Sequence, residues 1–255
     1  MKINRFLKRT KTENQVDESH FYAQVNSCQI GLLWFLYEQY LSQKTDGIFV
    51  EVGGYDGLFV SNSWGLARAG WTGYLIEPNP LMADKCRVAH ALNKNVSVTE
   101  VAIGPVGVKT IDLQLAGTLS TANPTLFDEY KSVEWAKSSL KGTSTIQVNC
   151  ITLDEFIESN GIPIGFDVLI IDVEGFEAEV FSGFTISNWK PKMIIVELVN
   201  THPDLETTRY SDARLQTVVS SAGYQVAYKD SINTVFVSDE HWFGQANSEK
   251  QHHGE

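Results

Sequence analysis

Val50-Glu51-Val52-Gly53-Gly54-Tyr55-Asp56-Gly57 ends an apolar run, Ile48-Phe49-Val50, in a glycine turn, and a helix is expected to open near Leu58. Strand, glycine turn and helix in that order is how a Rossmann-type sheet presents backbone to a ligand. The glycine spacing is not the dinucleotide one. A G-x-G-x-x-G pattern begun at Gly53 meets Tyr55 at its second glycine, and one begun at Gly54 meets Asp56. The turn also carries two acids, Glu51 and Asp56, which repel a pyrophosphate and attract a ligand bearing a sulfonium and an ammonium.

S-adenosylmethionine (SAM) is such a ligand, with a ribose for a further acid to hold. Glu77 ends the next apolar run, Gly73-Tyr74-Leu75-Ile76, and 77 − 53 places it 24 residues past Gly53. That position suits a second-strand carboxylate gripping the ribose hydroxyls. Taken singly, a glycine turn reads as a loop and a strand-terminal Glu as a helix cap. The two together, in order and at this spacing, favour a cofactor site.

With 255 residues, 43% of them hydrophobic, the chain can bury a large core, and general disorder is excluded. A net charge of −11 argues against nucleic acid as a partner, because phosphate binding is driven by Lys and Arg. Cys28, Cys86 and Cys150 are odd in number and widely spaced, which reads as buried, reduced thiols in a cytoplasmic protein. No apolar run reaches membrane-spanning length. Residues 1–16 read as a flexible basic arm (Lys2, Arg5, Lys8, Arg9, Lys11) and residues 244–255 as a flexible polar tail.

Between them a single domain is expected over 17–243, opening with a leading helix within 17–44. Apolar residues recur there at helical spacing, Phe21, Val25, Cys28, Leu32, Phe35, Leu36 and Tyr40. An α/β alternation follows: strand 48–52, helix 59–69, strand 73–77, helix 81–93, strand 96–103. An insertion over about 105–145 holds a strand at Thr110–Leu115 and a Ser/Thr-rich stretch at 118–143; a strand over Thr145–Cys150 follows. Then come a short helix opened by Thr152 and Asp154, strand Phe166–Asp172, helix 177–183, strand Met193–Leu198, helix 206–222 and a hairpin, Tyr224–Tyr228 with Thr234–Val237. The pattern predicts a mostly parallel seven-stranded Rossmann-like sheet with a final antiparallel hairpin and helices on both faces, the class I methyltransferase arrangement.

Six segments in register resemble the FkbM family of SAM-dependent methyltransferases, over about residues 21 to 200. They are Tyr22-Ala23-Gln24 in the leading helix, Glu51 to Gly57 with Ser61-Asn62, Gly70-Trp71-Thr72-Gly73 leading to Ile76-Glu77-Pro78-Asn79-Pro80, Thr152-Leu153-Asp154, Ile171 to Glu177, and Ile195-Val196-Glu197. The second departs from the family's D-I-G-A-N-D-G form, with Glu51 for Asp and Gly54-Tyr55 for Ala-Asn. The resemblance implies O-methylation of a sugar hydroxyl on a saccharide, sugar nucleotide or glycosylated natural product. It also implies cofactor contacts at Glu51, Gly53, Asp56, Asn62, Glu77, Ala102 and Asp172, with Glu51 on the amino-acid end of SAM.

Methyl transfer is an in-line displacement that must also dispose of the acceptor's proton. In an open α/β sheet it takes place beyond the carboxyl ends of the strands, where Glu51, Asp172 and Glu197 are expected. Asp172 is the leading catalytic candidate, as base or as metal ligand, with helix capping as its bland reading. Glu197 on the neighbouring strand is costly unless partnered. The Asp172–Glu197 pair therefore asks for a shared proton, the substrate's hydroxyls or a hard divalent cation such as Mg²⁺. His202 is a third catalytic candidate or a loop residue before Pro203. Glu174 and Glu177 follow on the Asp-x-Glu-Gly turn, one of them capping a helix start. Tyr130 and Trp135 within 118–143 suit a sugar ring. The competing readings are an NAD(P)-dependent oxidoreductase, disfavoured by the glycine spacing, and a degenerate interaction subunit. The amphipathic leading helix leaves an oligomer open.

Overall fold

The computed structural model describes residues 28–31, 33–41, 44–199 and 201–242. The basic arm, the tail, the first part of the leading helix and Asn200 lie outside the described residues. The leading helix expected within 17–44 is shorter among the described residues: 28–31 form a bend and turn, and α1 is Leu33–Leu41.

The main sheet has seven strands: β1 Ile48–Val52, β2 Thr72–Ile76, β3 Val96–Thr99, β7 Val168–Ile171, β8 Met193–Glu197, β9 Tyr224–Lys229 and β10 Asn233–Ser238. Their order is β3-β2-β1-β7-β8-β10-β9. Pairings from β3 to β8 are parallel, and β10 runs antiparallel to both β8 and β9. This is the sheet expected from the sequence.

Alternation along the strands assigns each side chain to a face. Phe49, Val168, Ile170, Met193 and Ile195 pack with Ile30, Leu33 and Leu36 on the α1 side. Val50, Val52, Leu169, Ile171, Ile194 and Val196 pack on the opposite side against Phe156, Val180 and Leu215. Those three come from helices α5 Leu153–Ser159, α6 Glu177–Ser182 and α8 Arg209–Ser221. Helices therefore cover both faces, which is why the central strands are apolar throughout rather than alternating.

The helix expected over 81–93 is Pro80–Ala89 and that over 206–222 is Arg209–Ser221; three other differences are larger. Helix α2 is Trp64–Arg68, not 59–69. The Asp56 carboxylate accepts the N–H groups of Leu58 (3.0 Å) and Phe59 (2.7 Å), and Val60 has φ 46°, so the chain loops before it can wind. The strand expected over 96–103 breaks at Glu100. Beyond it β4, Ala102–Ile103, joins a second, three-stranded sheet ordered β4-β6-β5, with β5 Thr110–Leu115 and β6 Ser144–Ile151. Glu100 turns outward to Arg87 at 3.5 Å while Val101, Ala102 and Ile103 are buried. The Ser/Thr-rich stretch holds a helix, α4 Pro124–Tyr130, capped by Asn123 and packed through Leu126 and Tyr130. Helix α3, Pro80–Ala89, and the short α7, Ile186–Trp189, complete the set. Among the described residues no helix is long and apolar enough to cross a membrane.

Candidate active site

The glycine turn after β1 is tied to both neighbouring strands. Gly53 and Gly54 donate to the Ile76 carbonyl at 2.9 and 3.0 Å, and Asp172 donates to the Val52 carbonyl at 3.0 Å. Gly53 has φ 93°, and a Cβ there would lie 1.7 Å from the Asp172 carbonyl oxygen, so glycine is required by conformation and by space. Beyond this turn opens a cavity of about 310 Å³ at the carboxyl ends of the parallel strands, lined by Glu51, Gly53, Asn62, Glu77, Ala102, Asp172, Glu197 and His202 among others. Eight of the nine residues expected to act on cofactor or substrate thus meet in one place. Asp56 is the exception. It does not line the cavity, and its carboxylate caps the loop before α2.

The strand register explains the acids. Glu51 shares a face with Phe49, Asp172 continues the Val168–Ile170 row, and Glu197 continues the Met193–Ile195 row. Ile171 pairs with Val196, so Asp172 and Glu197 stand side by side on adjacent parallel strands. All three belong to the α1 side of the sheet.

Each carboxylate has its own environment. Glu51 is buried and accepts the Ser63 hydroxyl at 2.6 Å. Burial pushes it up to about 8 against that hydrogen bond, and Asp172 and Glu77 push in the same direction. Glu77 accepts the N–H groups of Tyr55 (2.9 Å) and Asn79 (2.8 Å), one on each oxygen. It holds Tyr55 at φ 45°, a conformation the family's Asn adopts more easily than Tyr. Burial still raises Glu77 to about 7.

Asp172 is raised by burial and eased by a hydrogen bond from Glu197. Glu197 is pushed well up by burial, then by Asp172 and Glu174, so the two carboxyls titrate as a pair that holds a proton between them. Glu197 Oε2 is buried and has no partner among the described residues. Glu174 adds a third oxygen, and the Asp172, Glu174 and Glu197 carboxylates lie within 4.8 Å of one another.

The sequence reading leaves the helix cap to either Glu174 or Glu177. Only Glu177 has that role: it is buried and accepts the N–H groups of Val173 (3.1 Å) and Gly175 (3.2 Å). Glu174 has φ 53°, lines the cavity and accepts the Tyr130 hydroxyl at 2.7 Å. A non-glycine residue at positive φ beside an acid pair is the kind of strain that functional sites hold. The signal for it in the sequence is the Glu-Gly dipeptide itself.

Asn62 is committed chiefly to structure. Its Oδ1 accepts the backbone N–H groups of Gln29 (3.2 Å) and Ile30 (3.4 Å), and its carbonyl accepts the Tyr37 hydroxyl at 2.9 Å. The opposite wall is aromatic. Tyr130 and Trp135 meet edge to face at 6.0 Å, and Trp135 leans on the His202 ring at 5.7 Å. His202 Nδ1 accepts the Asp204 N–H at 3.2 Å, which places the ring hydrogen on Nε2 and makes that edge a donor.

Several solved structures resemble this chain at low identity. An O-methyltransferase from Bacillus cereus in complex with SAH is 14% identical, over 87% of this chain and 88% of that one, with a TM-score of 0.44. TomG, an O-methyltransferase from Streptomyces achromogenes involved in tomaymycin synthesis and solved with SAM, is 14% identical over 88% and 91%, with a TM-score of 0.43. A Methanococcus jannaschii fibrillarin pre-rRNA processing protein is 13% identical over 77% and 68%, with a TM-score of 0.40. At such scores the likeness carries no argument, and the fold stands on the strand order above. No curated protein sequence matches the chain. The decisive match is to a family: the model of the methyltransferase FkbM domain covers residues 51–226, from Glu51 at the end of β1 into β9, and the chain belongs to the FkbM methyltransferase family.

Proposed function

We propose that the chain is a SAM-dependent O-methyltransferase acting on a hydroxyl of a saccharide, sugar nucleotide or glycosylated small molecule. The observation that carries this reading is the set Glu51, Glu77 and Asp172 on one cavity at the carboxyl ends of β1, β2 and β7. The donor chemistry fits SAM. Glu77 keeps a lone pair on each oxygen for ribose hydroxyls, Glu51 faces the amino-acid end, and among the described residues no Lys or Arg lines the cavity to take a pyrophosphate. That last point counts against an NAD(P) oxidoreductase. When bound, SAM supplies an activated methyl group on a sulfonium.

The chain's own residues would then orient and deprotonate the acceptor. A sugar hydroxyl is too weak an acid to ionise unaided near neutral pH, so a carboxylate must accept its proton as the new bond forms. Asp172 and Glu197, both raised by burial, share a proton as a pair, which gives an acceptor hydroxyl both an acceptor and a donor. Glu174 is the other group of the cavity able to take the proton, and His202 Nε2 offers an N–H to an acceptor oxygen. Tyr130, Trp135 and His202 form an aromatic wall that suits the C–H face of a sugar ring. A divalent cation on Asp172, Glu174 and Glu197 is a second way to compensate the cluster, favoured by their spacing alone.

The net charge of −11 supports a small acceptor over a nucleic acid, and the buried thiols Cys86 and Cys150 support a reducing, cytoplasmic setting. Isothermal titration with SAM, followed by transfer of a radiolabelled methyl to panels of saccharides, sugar nucleotides and RNA, tests the reading. Absence of SAM binding would remove the cofactor, and label entering RNA alone would remove the saccharide.

A further inference from the structure

The amino-acid end of SAM carries a carboxylate as well as an ammonium. Glu51 can hold the ammonium only, and among the described residues no Lys or Arg lines the cavity to take the carboxylate. Among the described residues, uncharged N–H or O–H donors are left to hold it, close to Glu51. Glu51 lies on the α1 side of the sheet, so the donors should come from the chain that covers that face.

Gln29 meets this requirement. It lines the cavity and is half-buried, one residue before Ile30, which is fixed in the core on the α1 side. Asn62 pins this segment, taking the Gln29 and Ile30 N–H groups on Oδ1 and donating Nδ2 to Gln29 Oε1 at 3.4 Å. Tyr37 on α1 anchors the Asn62 carbonyl, and the adjoining Ser63 holds Glu51. Gln29 is thus pinned to the same loop that holds the acid it would act beside, and its Nε2 has no acceptor among the described residues.

We infer that Gln29 is a cofactor-binding residue whose carboxamide Nε2 donates to the carboxylate of SAM, so that the segment before α1 forms part of the cofactor site. The inference rests on the proposed SAM reading and extends the site to a segment that precedes the family-matched residues 51–226.

The test is isothermal titration of the full chain with S-adenosylhomocysteine and with 5′-methylthioadenosine, which lacks the amino-acid end. Gln29→Ala should weaken S-adenosylhomocysteine by roughly tenfold, as loss of a hydrogen bond to a charged group does, and leave 5′-methylthioadenosine within about twofold. Gln29→Glu, which sets a negative charge against the carboxylate, should weaken S-adenosylhomocysteine further and again spare 5′-methylthioadenosine. Equal binding of S-adenosylhomocysteine by wild type and both variants would overturn the inference, as would an equal loss for the two ligands. A wild-type chain that binds neither ligand would instead defeat the SAM reading itself, and the inference with it.

Discussion

The Tyr130 hydroxyl donates to Glu174 Oε2 at 2.7 Å, across 44 residues of chain, and so fastens the segment between β5 and β6 to the turn that follows β7. Two further bonds run beside it. Thr121 Oγ1 donates to the Glu174 carbonyl at 2.6 Å, and Asn123 Nδ2 donates to the Gly175 carbonyl at 2.9 Å. The Glu129 carboxylate takes the N–H groups of Glu206 and Thr207, joining α4 to the loop after β8. The aromatic wall is therefore built into the turn that carries Glu174.

Tyr130→Phe keeps the packing and removes the donor. Burial pushes Glu174 up to about 8, with Asp172 adding to it, and the Tyr130 hydrogen bond opposes both by favouring the charged form. Asp172, Glu197 and Glu177 are the other titrating groups around it. The variant should lose about 1–3 kcal/mol of stability, the cost of a buried acceptor left unpaired. The loss should be larger above pH 8 than at pH 6, because the ionised carboxylate needs the donor most. Thermal melts of the two proteins across pH would read this, and a pH-independent difference would remove the electrostatic part of the argument.

The unliganded chain should lose stability as pH rises. Glu51 and Glu77 are held at about 8 and about 7 against an ordinary value of 4.5. Between 4.5 and those values the native state binds more protons than the unfolded one, so stability falls with rising pH through the window. Glu51→Gln should therefore raise stability at pH 8 by about 2 kcal/mol while weakening SAM. A melting temperature that climbs from pH 5 to pH 8 would contradict the sign.

Gly53→Ala should be among the most damaging single changes in the chain. A φ of 93° strains any L side chain, and its Cβ would collide with the Asp172 backbone, which two flanking ladders prevent from moving. Each effect costs about 1–3 kcal/mol. Gly142 is the control, with φ 74° and nothing within 4 Å of an added Cβ, so Gly142→Ala should cost only about 1 kcal/mol. Comparable losses in urea unfolding would mean that conformation alone, not the approach of β1 to β7, fixes Gly53.

The main sheet is legible in the sequence because period and punctuation agree. Apolar runs at Ile48, Gly73, Val168 and Met193 each end in an acid or a glycine, and each is a strand. The acids are legible for the same reason, since strand ends converge on one edge. Other features depend on contacts that local pattern does not encode. The Ser/Thr-rich stretch winds into α4 because Leu126 and Tyr130 find a core with Val199 and Leu205, some 70 residues away (199 − 126 = 73). The capping role of Asp56 and the anchoring role of Asn62 have the same origin, because identical side chains at those positions suit a ligand or a loop equally well. A strand over 96–103 is too long because Val101 to Ile103 are apolar for the cavity and the second sheet, not for the β3 ladder.

Binding of SAM at pH 7 should release protons. Glu51 at about 8 is largely protonated in the free chain, and an incoming ammonium stabilises its carboxylate. Its pKa must then fall on binding, and the proton leaves to the buffer. Titrations in phosphate and in Tris, whose ionisation enthalpies differ widely, should give different apparent heats at the same affinity, with the difference lost in Glu51→Gln. The same experiment separates proton sharing from a cation at the acid cluster. Where Asp172 and Glu197 share a proton, EDTA treatment leaves SAM affinity and melting temperature unchanged, and added Mg²⁺ shifts neither by more than its effect on ionic strength. A Mg²⁺-dependent rise in melting temperature that Glu197→Gln abolishes would place the cation on Asp172, Glu174 and Glu197 instead.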